Sequence, residues 1–304
     1  MHLSWNLVPL DTLGVLRVRG ADAGAFLQGQ LSNDMTRLSA QRSLLAGYHN
    51  AQGRAIALPR LVQLAADDVL AVLPRELVAT VAARLGKFVL RAKVRLQDES
   101  AQWLIEGALA SAAPGTEAQA SLVPAARDEV RRSGDTLIVR CSQVPARLLV
   151  IRSASAPATL EGLAPLHRSD WQLAAIAAGE PQVYAATSEE FVAQMLNLDL
   201  LDAIAFDKGC YTGQEVIARA HYRGRVKRRM QRFLGSASRE LRPGDAAMLT
   251  DGRAFKVVEA ARRPDGNVEF LAVTGLTAEP TAARDALGEP LTATALPLPY
   301  QLPL

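Results

Sequence analysis

The sequence predicts an α+β fold of antiparallel sheets and helices, finished by a small β-barrel at its C-terminal end. Residues 13–96 read as strand, helix, paired strands, helix and strand, the order of an antiparallel α+β layer. After Met230 the pattern changes to short strands split by turns at Pro243-Gly244-Asp245, Asp251-Gly252 and Pro264-Asp265-Gly266-Asn267, as in a small barrel or sandwich. At 304 residues and 49% hydrophobic content the chain can bury a sizeable core, spread over two or three packed modules.

Each element has a local reason. Residues 13–19 form a strand ending at Gly20, and Asp22 can cap a helix presenting Phe26, Leu27, Gln30 and Leu31. Residues 54–64 and 69–73 read as two strands joined at Asp67-Asp68. Pro74 suits the first turn of a helix closed by Gly86, and 88–96 alternates as a further strand. Ala, Ser, Pro and charge dominate 111–134, which reads as a loop or weak helix on the surface. Residues 137–150 return to strand, and 169–179 form a helix stopped by Gly179 and Pro181. A division into 1–229 and 230–304 follows, with the first part made of two α+β modules.

Composition excludes several classes. No basic, apolar leader opens the chain and no apolar run is long enough to span a bilayer, so a soluble cytoplasmic protein without a membrane partner is expected. Cys141 and Cys210 are the only cysteines, a usage that suits a reducing compartment. With His2, His49, His167 and His221 scattered, no spacing supports a protein-built metal site. Phosphate-loop glycine motifs and internal repeats are absent from the sequence.

The densest chemistry is Lys208-Gly209-Cys210-Tyr211-Thr212-Gly213-Gln214-Glu215. Thr212 and Glu215 have the spacing of a capping box, so a helix is expected to start there, with Cys210 at its positive end beside the Lys208 ammonium. Both influences favour a thiolate. A buried apolar cysteine is the competing reading. Downstream, Arg219, Arg223, Arg225, Lys227, Arg228, Arg229, Arg232 and Arg239 form a basic stretch without an acidic residue, interleaved with His221, Tyr222 and Phe233. It suits phosphates or carboxylates with a stacked ring, or else a solvated strand face; the net charge of +3 does not decide between them. Trp171 is either core or a flat wall for a ring ligand.

The octet, continued by Val216-Ile217-Ala218-Arg219, Tyr222-Arg223-Gly224 and Lys227-Arg228, resembles the signature of the YgfZ-like folate-binding proteins, relatives of the glycine cleavage T-protein (aminomethyltransferase). Three further stretches agree in order: Gly20-Ala21-Asp22 leading to Phe26-Leu27-Gln28-Gly29-Gln30-Leu31-Ser32-Asn33-Asp34, Gly47-Tyr48 with Gly53-Arg54, and Trp171 leading to Ala178-Gly179 and Pro181. Near the end, Pro297-Leu298-Pro299-Tyr300 adds to the likeness. The resemblance implies a T-protein-like fold around a central cavity for tetrahydrofolate or a derivative. It implies support of iron-sulfur cluster assembly or repair, including in tRNA-modifying enzymes, with iron-sulfur proteins or their assembly factors as partners.

On that basis Cys210 and Lys208 are the expected reactive pair at the cavity mouth. Trp171, Asn33, Tyr48, Tyr211, Gln214, Glu215 and Arg223 are the expected folate contacts, although Asn33-Asp34 equally suits a turn cap. Arg219, Arg223 and Arg225, within the strip from Arg219 to Arg232, are expected to hold an anionic ligand or partner, tRNA among them. Two departures are visible. Gly53-Arg54 runs into Ala55-Ile56-Ala57-Leu58 without the carboxylates that serve aminomethyl transfer, and the glutamate that holds the pterin ring falls near Ala177. Leu13 stands where a second cavity tryptophan is common in the family. A working aminomethyltransferase is therefore not expected; a tetrahydrofolate-dependent aminomethyl or one-carbon transferase is the first alternative, disfavoured by the missing carboxylates, and an RNA- or protein-binding module built on the basic stretch the second.

Overall fold

A computed structural model describes residues 3–114, 121–157, 166–224, 226–236, 240–277 and 291–303. Three five-stranded antiparallel sheets carry the architecture. The first combines β1 (Leu3–Pro9), β9 (Trp103–Pro114), β12 (Arg147–Ser153), β11 (Thr136–Ser142) and β10 (Val130–Ser133), in that order. The second runs β3 (Leu44–Leu45), β6 (Arg60–Ala65), β7 (Asp68–Pro74), β2 (Leu13–Arg19) and β8 (Arg95–Asp98). The third runs β14 (Ala246–Met248), β15 (Ala254–Arg262), β16 (Val268–Gly275), β13 (Arg228–Gly235) and β17 (Ala293–Leu296). A small pair, β4 (Tyr48–His49) with β5 (Ala55–Ala57), completes the set.

The helices α1 (Ala23–Gln30), α2 (Arg75–Gly86), α3 (Arg168–Ala177) and α4 (Gln214–Tyr222) pack against these sheets and their loops. The largest core cluster joins α1, α2 and the second sheet to Met230, Val258, Leu271 and Val273 of the third. One hydrophobic core thus crosses the 229/230 position. At the end of α3, Gly179 takes φ 62° and a Cβ there would lie 2.8 Å from Tyr300. The Tyr300 hydroxyl donates to the Gly179 carbonyl at 2.7 Å, so the same glycine ends the helix and seats the C-terminal segment.

Several expectations are corrected. The strand expected over 54–64 is two strands in different sheets, because Pro59 lacks the N–H needed to continue a ladder. The strand expected over 88–96 is confined to its end, since 88–92 turn and Leu90 stands 88% exposed with φ 44°. The surface connection expected over 111–134 begins inside β9 and takes in the whole of β10, ending at the turn glycine Gly134, and 115–120 lie outside the described residues. Residues 137–150 form the hairpin of β11 and β12. Asp22 sits at the N-cap of α1, yet its carboxylate accepts from the Lys93 backbone at 2.7 Å instead of capping the helix. Among the described residues the third sheet has no closed ladder; next to its edge strands, Leu249 and Leu291 form an isolated bridge and Leu291 exchanges backbone hydrogen bonds with Met248 and Thr250.

Candidate functional site

Three of the four stretches that carry the resemblance converge on one face. Lys208 Nζ donates to the carbonyls of Gln28 at 2.7 Å, Leu31 at 2.6 Å and Asn33 at 2.8 Å, tying the octet to the end of α1. Ser32 Oγ donates to the Ala203 carbonyl at 2.7 Å and accepts from the Gly47 backbone at 2.8 Å, joining a third motif. At Gly213 a Cβ would lie 2.4 Å from the Asn50 carbonyl, so only glycine lets the two loops touch. Burial draws the Lys208 ammonium down to about 8.

This geometry corrects the expected activation of Cys210. Gly213, not Thr212, is the N-cap of α4, in the left-handed region at φ 83°, and no side chain caps the helix. The capping box of Thr212 and Glu215 does not form, and Cys210 stands outside the first turn. Lys208 faces carbonyl oxygens, and its ammonium lies 5.1 Å over the Tyr211 ring. Cys210 itself is exposed, whereas Cys141 is buried, with its thiol pushed up by burial.

A cavity lies elsewhere, between α3 and the three sheets. Trp171, Leu13, Leu58, Arg60, Cys141, Arg147, Glu180, Tyr184 and Glu259 are among its walls, around about 100 Å³ of space. It shares Thr12, Arg168, Gln172, Tyr184 and Glu259 with an outer cleft of about 660 Å³. The inner cavity is smaller than the roughly 300–1,000 Å³ common for ligand sites and the cleft falls within that range, so a drug-sized ligand reaching the inner walls would also occupy the cleft. Gly107 makes room for the indole, as a Cβ there would meet Trp171 Cε3 at 2.5 Å. The Arg147 guanidinium sits 4.4 Å over the Trp171 ring.

Charge in the cavity is paired unevenly. Arg60 donates to Asp128 at 2.5 Å and to Glu180 Oε2 at 3.4 Å, and Arg147 Nη1 approaches the same Glu180 oxygen at 3.8 Å. Burial works to raise Glu180, but Arg60, Arg147 and Arg127 hold it below the usual carboxylate range. Arg147 nevertheless has Nε and Nη1 without a hydrogen-bond acceptor. Glu259 receives the Tyr184 hydroxyl, a 3.4 Å contact from Gln172 Nε2 and its neighbour Ala260 N at 3.1 Å. Burial outweighs these donors and pushes Glu259 up to about 7. The Tyr184 hydroxyl is raised as well, by burial and then by Glu259.

Of the expected folate contacts, Trp171 alone lines this cavity, with Leu13 near it. Asn33 is fully buried and its side chain is engaged: Nδ2 donates to Leu45 and Asp202 carbonyls at 2.8 and 2.7 Å, and Oδ1 accepts from Asp34 N at 2.8 Å. Tyr48 is buried in the main core, with its hydroxyl raised by burial. Tyr211, Gln214, Glu215 and Arg223 belong to the signature face, as do Cys210 and Lys208, and none lines the cavity. The position near the expected pterin glutamate is filled differently, for Ala175 and Glu180 reach the cavity and Ala177 does not.

The basic stretch divides too. Arg229 is buried against Asp199 at 2.8 Å, and Arg232 pairs with Glu269 at 2.6 Å, so both are structural. Arg219 and Arg223 are exposed beside Tyr222, which is 68% exposed, while His221 stacks on Phe206 at 3.8 Å. Arg225 and Arg239 lie outside the described residues.

Sequence reasoning missed Arg60, Arg147, Glu180, Tyr184 and Glu259. For Arg60 and Glu259 the available signal was a charged residue set inside an apolar strand, an arrangement that needs a partner.

No family model matches the chain. A tRNA-modifying protein YgfZ of Escherichia coli O157:H7 (strain EC4115 / EHEC) is 30% identical over 316 residues, covering 99% of this chain and 95% of that protein. The chain belongs to the YgfZ family. A second relative of that description, from Escherichia coli O127:H6 (strain E2348/69 / EPEC), is 31% identical over the same shares. Among solved structures, the glycine cleavage system aminomethyltransferase T from Bartonella henselae matches with a TM-score of 0.65 at 14% identity, over 90% of this chain and 79% of that chain. The fold is thus that of the T-protein. Among the described residues no helix is long and apolar enough to cross a membrane.

Proposed function

We propose that the chain binds a reduced folate in the cavity walled by Trp171 and acts through its signature face on iron-sulfur enzymes, including those that modify tRNA. The observation that carries the ligand reading is the cavity's donor set. A pterin is flat, with one hydrogen-bonding edge and a carbonyl, and it asks for an aromatic or apolar wall, an acceptor and a cationic donor. Trp171 and Leu13 supply the wall, Glu259 an acceptor, and Arg147 retains unmatched N–H groups. Arg168, Arg242 and Arg262 border the outer cleft, where the carboxylated tail of a folate would lie.

In this reading the protein's own residues bind, orient and exclude water. Trp171, held between Gly107 and Arg147, is the apolar backing of the site, Arg147 donates to the ring, and the Arg60–Glu180 pair keeps the inner wall charged and fixed. Lys208 is a positioning residue for the octet. Cys210 is the thiol offered to a partner, and its exposure supports that role. The family relation to proteins described as tRNA-modifying supports the wider role. Aminomethyl transfer is not part of the proposal, because β5 brings only buried Ala55, Ile56 and Ala57 where a proton-transfer carboxylate is needed.

The test is a thermal shift with folinic acid and its polyglutamylated form. The folate reading requires a rise in melting temperature with concentration. A flat response, with no quenching of indole emission, removes the ligand from the proposal.

A further inference from the structure

Glu259 is buried in the cavity, yet it comes from the third sheet, far in sequence from every recognised motif. A bulge between Val257 and Glu259 breaks the alternation of β15. Before it, Phe255 and Val257 face the small core of the C-terminal sheet. The bulge residue Val258 and, beyond it, Ala261 join the main core, and Glu259 stands opposite Leu271 of that core. The extra residue therefore turns a carboxyl out of its own sheet's interior and into the shared cavity, the re-aiming that bulges beside binding sites perform.

The surroundings distinguish Glu259 from the other cavity carboxyl. Glu180 is held by two guanidinium groups and is already matched. Glu259 has no cation paired to it among the described residues. Facing it are the Tyr184 hydroxyl, Gln172 and Arg168 of α3, Arg147 of β12 at longer range, and apolar Leu271 of β16; β14 offers only Ala246, Ala247 and Met248. Glu76 and Arg168 act on Tyr184 in turn.

We propose that Glu259 reads the donor edge of the ring ligand, accepting the ring N–H and exocyclic amine of a 2-amino-4-oxo heterocycle, with Tyr184 holding the carboxyl in place. The proposal rests on the folate reading of the cavity. It assigns ring recognition to the C-terminal sheet, so that a ligand between the Trp171 wall and Glu259 joins α3 to β15. Because the free carboxyl titrates near neutrality, binding an edge with two donors favours its ionised form, and affinity rises with pH.

Isothermal titration of the full chain with folinic acid tests this. Between pH 6 and 8 the affinity of the native protein is expected to rise about tenfold, and Glu259→Gln to weaken binding at least tenfold at pH 8 with that rise removed. The 2-desamino analogue of folinic acid should bind the native protein weakly and gain little between pH 6 and 8, an outcome that needs no variant to fold. If the native protein does not bind folinic acid, the folate reading fails. If it binds, and both Glu259→Gln and the desamino analogue keep the native affinity and pH profile, Glu259 does not read the ring.

Discussion

The cavity and the signature face solve opposite problems. On the face, short motifs far apart in the chain are tied together through backbone groups: Lys208 binds three carbonyls of the 28–33 stretch, and Gly213 touches the loop at Asn50. The cavity instead gathers Leu13, Arg60, Arg147, Trp171, Glu180 and Glu259 from five strands or loops and one helix, with charges desolvated and only partly matched. Contiguous motifs docked through backbone groups thus present one exposed thiol. Single side chains scattered along the chain wall the chamber. The two can be separated by mutation.

The sharpest separation is at Cys210. Cys210→Ala is expected to abolish complementation of iron-sulfur enzyme activity in a strain lacking the protein, while leaving the melting temperature and folinic acid binding unchanged, since the side chain is exposed. In the native protein an alkylating reagent should label Cys210 well before Cys141, on exposure alone. Full complementation by the Ala variant, or equal labelling of both thiols, removes the thiol from the proposal.

Next comes Trp171. Its ring packs on Gly107 and under Arg147, so Trp171→Ala should cost about 3–5 kcal/mol of stability, measured by denaturant unfolding, together with ligand binding. Trp171→Phe keeps a ring in the site and should restore most of the stability. A cavity that binds folinic acid equally well in the Phe and native proteins would show that the indole is only packing.

How far each region is legible in the sequence follows the same contrast. α2 is read correctly at both ends because Pro74 and Gly86 act locally, and β2 because its apolar run ends at a turn glycine. The cap of α4 is misread because the choice of Gly213 over Thr212 depends on Asn50, more than 150 residues away in the chain. Asn33 and Tyr48 are recognisable as family positions, but a motif does not say whether a polar group faces a ligand or, as Asn33 does, two carbonyls. Glu259 is reached only through a bulge, which strand periodicity does not reveal.

Stability against pH sharpens the cavity side. Glu259 rises in the folded state from 4.5 to about 7, so the folded protein binds more protons than the unfolded chain between those values. The protonated carboxyl's contribution is intact below about 4.5 and is lost as pH rises through 7. The buried shift corresponds to roughly 3 kcal/mol, and Glu259→Gln should flatten the profile in urea midpoints measured from pH 5 to 8. An unchanged slope in the variant would assign the pH dependence to another group.

The smallest effect on the fold, and the finest test of the face, comes from Arg219 and Arg223. Both are exposed beside Tyr222, and together with Ala218 they line a shallow surface pocket, whereas Arg229 and Arg232 are held by Asp199 and Glu269. Reversing the first two to Glu should therefore change stability by no more than about 0.5 kcal/mol, while Arg229→Glu should unfold or strongly destabilise the protein by burying like charges. Folinic acid binding should survive the double reversal, because the residues lie outside the cavity. If the face receives an anionic partner, complementation should fall, and binding of tRNA to the native protein should weaken steeply with salt while the reversed protein shows little binding at any salt. A double reversal that complements fully, with tRNA binding that ignores salt, would leave Cys210 as the face's working group and make the two arginines ordinary solvated charge.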